Sequence, residues 1–149
     1  MRSPHYILIW IIIFIFSCKS NSLSNNDKKI NNNFKNEEVE ISFLGKWENI
    51  DQTSRIFTIN LFKKDSKIVG NYCSITNNGN KIDCSVDDEQ NLKAIIVDSI
   101  LKVEFYSFFG GTNGVSEIEL ENENIIWTIV KSPVGEFHCP MKDRLYRVE

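Results

Sequence analysis

Tyr72-Cys73-Ser74-Ile75-Thr76-Asn77-Asn78-Gly79-Asn80-Lys81-Ile82-Asp83-Cys84 is the stretch on which the fold turns. Asn-Gly between two runs of strand-forming residues reads as a two-residue type I′ hairpin, because both central residues can take positive φ. A loop at 78–79 sets residue 77 opposite 80, 75 opposite 82 and Cys73 opposite Cys84. Directly opposed residues have Cα atoms about 4.5–5.5 Å apart, within reach of a disulfide. The expectation is a Cys73–Cys84 cross-strand disulfide, with Cys139 as the competing partner for either thiol. Cys139 lies in Phe137-His138-Cys139-Pro140 and is otherwise expected to be buried and free.

Outward from this hairpin the chain is punctuated every 8–12 residues or so by turn signals, the spacing of a barrel or sandwich. Phe43, Gly45 and Trp47 share one face of a first strand. Phe57, Ile59 and Leu61 do so on a second, and Ile68, Gly70 and Tyr72 on a third. Ile82–Val86, Leu92–Val97, Leu101–Ser107, the run around Ser116, Ile118 and Leu120, Ile125–Val130 and Arg144–Val148 complete nine. The chain has a single alanine, Ala94, and is rich in Ile, Phe, Val and Thr, which suits strands better than helices. The expected fold is all-β: an antiparallel meander β-barrel of eight to nine strands, paired in chain order. Closing a meander removes edges that would otherwise recruit other chains.

The domain is expected to occupy residues 37–149. Before it, Arg2 and His5 precede Tyr6–Phe16, an unbroken apolar run of 11 residues. A bilayer-spanning helix needs about 20, so this run is short for a span and suited to a secretion signal. It ends in Ile15-Phe16-Ser17-Cys18, which resembles the lipobox of bacterial lipoproteins. That resemblance implies cleavage after residue 17, a lipid on Cys18, and membrane attachment through several acyl chains. Residues 18–36 (CKSNSLSNNDKKINNNFKN) carry no hydrophobic period and read as a flexible Asn/Ser/Lys tether. Lys19-Ser20 after the cysteine implies, by resemblance to bacterial sorting patterns, the outer membrane facing the periplasm, with surface display as second choice.

The chain has 17 basic and 20 acidic residues, and loss of Arg2 with the signal leaves 16 against 20. A nucleic-acid partner is not expected from that balance. Little in the sequence marks chemistry. The one histidine beyond the signal, His138, adjoins Cys139, but neighbours on an extended segment point to opposite faces and do not pair readily. A surface His138 beside a buried cysteine is the expectation. Asp87-Asp88-Glu89 lacks the spacing of a calcium loop and reads as a solvated turn. Gly110-Gly111-Thr112-Asn113-Gly114 is followed by strand alternation, not the helix a phosphate cradle needs, so it reads as a mobile loop at a barrel mouth. No catalytic set, cofactor or metal site is expected. The remaining candidates are Trp47, Phe57, Tyr72, Phe105 and Trp127, which either fill a barrel interior or line an apolar pocket with a polar handle.

Gly45-Lys46-Trp47 opening the first strand, and Gly70-Asn71-Tyr72 two strands later, resemble the calycin group of lipocalins, fatty-acid-binding proteins and avidin-like barrels. The resemblance implies an eight- or nine-stranded meander with the tryptophan packed near one end. In build the chain is also similar to small lipidated β-barrels such as bacterial lysozyme inhibitors, whose inserting Ser-Gly-x-x-Tyr segment is missing here. The expected function is a lipid-anchored, non-enzymatic envelope module for a small apolar or amphipathic ligand. The alternative is a protein-binding or inhibitory module.

Overall fold

The computed structural model describes residues 37–50, 54–87 and 89–148. Cys18, the tether and Asp88 lie outside the described residues. Among the described residues there are nine strands: β1 (Gly45–Glu48), β2 (Arg55–Lys64), β3 (Lys67–Thr76), β4 (Lys81–Cys84), β5 (Leu92–Val97), β6 (Ile100–Phe105), β7 (Gly114–Glu121), β8 (Asn124–Lys131) and β9 (Lys142–Val148). All pair antiparallel. Two contacts close the cylinder: β1 lies between β9 and β2, and β2 also pairs with β3. The result is an eight-stranded barrel with β4 as an extra strand, compatible with a calycin-like barrel.

The hairpin forms in the expected register. Cys73 faces Cys84, Ile75 faces Ile82, and Thr76 faces Lys81. Asn78 and Gly79 have φ of 53° and 86°, and the Asn80 N–H donates to the Asn77 carbonyl at 3.1 Å. Asn77 is also left-handed, at 53°.

Pairing in chain order fails at one place. β3 is ten residues long and divides itself between two neighbours. Its first half pairs with β5, from Ile68↔Ala94 to Gly70↔Leu92, and its second half pairs with β4. The expected β4–β5 pair is therefore absent from the ladders. The physical reason lies in Asn91. Its side-chain oxygen accepts the Tyr72 N–H at 3.1 Å, and its amide donates to the Tyr106 carbonyl at 2.8 Å. An asparagine side chain thus satisfies backbone groups at the point where β3 parts from β5.

Residues 37–43 are helical, where alternation suggested that Phe43 would join the first strand. Phe43 instead ends the helix, fully buried, and its carbonyl accepts from Trp47 Nε1 at 2.9 Å. Arg147 donates to the Ser42 and Leu44 carbonyls and lays its guanidinium 4.1 Å over the Trp47 ring. Val39 packs on the core and Glu40 pairs with Lys63, so the helix covers the barrel end that carries the 65–66 turn. At the opposite end residues 106–113 meet 132–141. Thr112 and Val134 exchange backbone hydrogen bonds at 2.9 and 2.8 Å, and Gly111 N–H donates to the Glu136 carbonyl at 3.0 Å.

Candidate functional site

The strand pleat aims every second residue inward. Phe57, Ile59 and Leu61 of β2 and Leu101, Val103 and Phe105 of β6 are buried in this way, each 3% exposed or less. Four of the five candidate aromatics form a closed cycle of contacts. Phe57 meets Tyr72 and Trp127 at ring-centroid separations of 6.0 and 5.6 Å, and Phe105 meets the same two at 6.1 and 5.3 Å. These are tilted and edge-on arrangements, the ones aromatic quadrupoles favour. Trp47, the fifth, is 1% exposed and packs at the helix-covered end. Trp127 Nε1 donates to the Pro140 carbonyl at 2.8 Å, so its polar edge is used in fastening the other end. All five belong to one core cluster, and the polar edges of Trp47, Tyr72 and Trp127 are hydrogen-bonded to protein groups.

The residue that organises the second end is Asp83, which has no exposed surface. Its carboxylate accepts from Tyr72 Oη at 2.8 Å, Ser107 Oγ at 2.7 Å, Phe108 N–H at 3.0 Å and His138 N–H at 3.1 Å. One side chain on β4 thereby ties together β3, the 106–113 loop and the 132–141 segment. Ser74, also inward, donates to the His138 carbonyl at 2.8 Å. A carboxylate with four donors is the satisfied form of a buried anion. The sequence reading did not single out Asp83. The signal was present, because the hairpin register pairs it with Ser74 and so places it on the inward face with Tyr72.

The other expected residues fall out as follows. Cys73 and Cys84 are disulfide-bonded, with Cα atoms 4.0 Å apart. Cys139 is a free, buried thiol. Burial, with Asp83 nearby as a further cause, pushes that thiol up to about 12, so it is protonated at neutral pH. Burial likewise pushes the Tyr72 hydroxyl well above its ordinary value. His138 is not a surface residue. Its side chain is 9% exposed and stands edge-on against Phe109, centroids 4.3 Å apart, because Asp83 and Ser74 hold its backbone against the barrel end. Its Nε2 lies 3.2 Å from Glu136 Oε1 at an angle that makes no hydrogen bond. The glycine loop does lie over a barrel mouth, but it is pinned. Ser107 N–H donates to the Gly111 carbonyl at 2.7 Å, and Gly110 N–H donates to the Ser107 carbonyl at 3.1 Å.

Among the described residues no group of three or more His, Cys, Asp or Glu could hold a metal ion. No helix among them is long and apolar enough to cross a membrane. Clefts of about 460 and 490 Å³ open on the outer face of β5 and β6. Comparison of the chain with protein-family models, with curated proteins and with solved structures finds no match in any of the three.

Proposed function

We propose that this chain is a binding module of the bacterial cell envelope, lipid-anchored through Cys18, that engages a protein partner with the outside of its barrel. The observation that carries this reading is the interior itself. Phe57, Tyr72, Phe105 and Trp127 occupy the barrel centre against one another. Helix 37–43 covers one mouth, and the Asp83-fastened loops cover the other. An eight-stranded barrel interior is either filled by side chains or holds one small ligand, and this arrangement favours the filled state. The protein-binding alternative therefore moves ahead of the small apolar ligand. Burial keeps the Cys139 thiol protonated at neutral pH, which argues against that side chain as a nucleophile. The periplasmic face of the outer membrane remains the proposed location.

The test is a native mass spectrum of the lipidated chain extracted from envelopes in mild detergent, paired with photo-crosslinking in cells from Phe109 and Lys93 positions. The expected result is a cargo-free mass and a protein adduct on crosslinking. A stoichiometric small-molecule adduct, lost on denaturation, would overturn the reading in favour of a carrier.

A further inference from the structure

The two clefts on the outer face of β5 and β6 share Lys93, Glu104 and Val115 and form one trough. Its construction follows from strand register. Val69, Lys93, Glu104, Val115 and Lys131 are consecutive cross-strand partners on β3, β5, β6, β7 and β8, so their side chains stand in one row on the outer surface. Ile95 and Lys102, likewise partners, stand in the next row. The floor is aliphatic. Val69 faces outward yet is only 8% exposed, whereas Ile95 is 65% exposed. Exposed isoleucine beside a covered valine gives a partner an apolar surface to bury.

The rim is cationic. Lys67, Lys93, Lys102 and Lys131 line the trough against a single lining acid, Glu104. Lys102 pairs with Glu117 of β7 at 3.6 Å, and among the described residues Lys67, Lys93 and Lys131 make no ion pair. This surplus sits on a chain whose formal net charge is −3. A concave patch of one sign on a low-dielectric wall concentrates its field on whatever enters. The trough runs across neighbouring strands and opens to solvent, a shape that suits a chain in extended conformation better than a compact molecule.

We infer that the outer trough of β3 and β5 to β8 is the docking site for an extended, acidic segment of a partner protein, its carboxylates meeting Lys67, Lys93 and Lys131 and an aliphatic side chain covering Ile95. The inference rests on the surface-binding reading above and names its surface. Charge complementarity selects the partner and speeds its arrival, and the aliphatic floor holds it.

The test uses the full lipidated chain in neutral detergent and a fluorescently labelled peptide of Glu-Glu-Val-Val repeats, which carries both residue types on each face when extended, with its Lys-Lys-Val-Val counterpart as control. Anisotropy is expected to show saturable binding of the acidic peptide alone. Charge reversal by Lys93→Glu with Lys131→Glu is expected to weaken it by about tenfold or more, since like charges then face each other. Both lysines are exposed, so the fold should survive, and circular dichroism checks this. Ile95→Asn, which removes apolar surface without adding charge, is expected to weaken binding by a factor that salt leaves unchanged, whereas the wild-type interaction should fade as salt shortens the screening length to about 3 Å. Equal binding of the basic peptide, or no saturable binding of the acidic one, overturns the inference. Lysine-dependent binding of phosphatidylglycerol vesicles in place of the peptide overturns it in favour of a lipid surface. If envelope crosslinks form only at Phe109 and never at Lys93, the trough is refuted while the surface-binding reading stands. A cargo adduct inside the barrel removes both.

Discussion

Replacing Asp83 tests whether one buried carboxylate fastens the end of the barrel. Asp83→Ala deletes the acceptor for Tyr72 Oη, Ser107 Oγ, Phe108 N–H and His138 N–H. A hydrogen bond to a charged group contributes about 1.5–3 kcal/mol, and a donor stranded in the interior costs a similar amount. The four do not add, because losing the anion also removes its burial cost of several kcal/mol. The expected net loss is about 3–5 kcal/mol, because several neutral donors are left stranded at about 1–3 kcal/mol each while the burial cost of the anion is recovered. Asp83→Asn sharpens the prediction. Oδ2 accepts three of the four donors and Oδ1 only the Phe108 N–H. An amide with its oxygen at the Oδ2 position keeps those three and turns an N–H toward Phe108. Its expected cost is about 1.5–3 kcal/mol, one charged hydrogen bond lost and three weakened. Urea unfolding under non-reducing conditions, followed by fluorescence of buried Trp47 and Trp127, gives both values. Amide exchange at Phe108 and His138 should accelerate in both variants. A cost below about 1 kcal/mol for the alanine variant, within the range of one ordinary hydrogen bond, would refute the reasoning. So would an asparagine variant less stable than the alanine one.

Three further outcomes are expected. Cys73→Ser with Cys84→Ser should lower stability by about 2–3 kcal/mol, the loop-closure value for a bridge this short, read from urea midpoints. Because the folded state raises the Cys139 thiol from 9.0 to about 12, protonation favours folding: the stability is fully present below pH 9, and falls as pH climbs through the interval toward 12, with the raised Tyr72 acting in the same direction. Unfolding midpoints at stepped alkaline pH measure this, and a Cys139→Ala variant with an unchanged slope would refute the thiol's part. Gly70→Ala should destabilise by at least about 2 kcal/mol on the scale of overpacked interiors, because a Cβ there would sit 2.1 Å from the Asn60 carbonyl oxygen. An alanine variant with wild-type thermal unfolding would count against that close approach.

Much of the barrel was legible because its signals are local. The Asn78-Gly79 turn sets a register, and that register alone brings Cys73 to Cys84. Alternation in Ser116, Ile118 and Leu120 against Glu117 and Glu119 put the right residues inside β7. What was not legible depends on contacts far apart in the chain. Phe43 continues the alternation of Gly45 and Trp47 on paper, yet the carbonyl of Phe43 is wanted by the Trp47 indole and those of Ser42 and Leu44 by Arg147, more than a hundred residues on. β4 was expected to lead into β5, and nothing nearby in sequence says that the Asn91 side chain will take the Tyr72 N–H instead. His138 read as a surface residue because its burial comes from a donor on β3, Ser74, and an acceptor on β4, Asp83, that hold its backbone. The trough was invisible for a similar reason. Lys67, Lys93, Lys102 and Lys131 are scattered along the chain and become neighbours only through the ladders.

The closing contact of the cylinder joins Lys46, Trp47 and Glu48 to Val148, Arg147 and Tyr146. About a hundred residues separate the partners, so this ladder cannot begin until the ninth strand has been synthesised. Before that moment β1 and β8 each present an open edge, the template on which strands from other chains add. Pairings of such long sequence separation also form slowly. A chain stalled or clipped ahead of Lys142 is therefore more than a weakened barrel. It carries two unpaired strand edges of the kind on which other chains add, and only the arrival of the seven-residue strand β9 closes them.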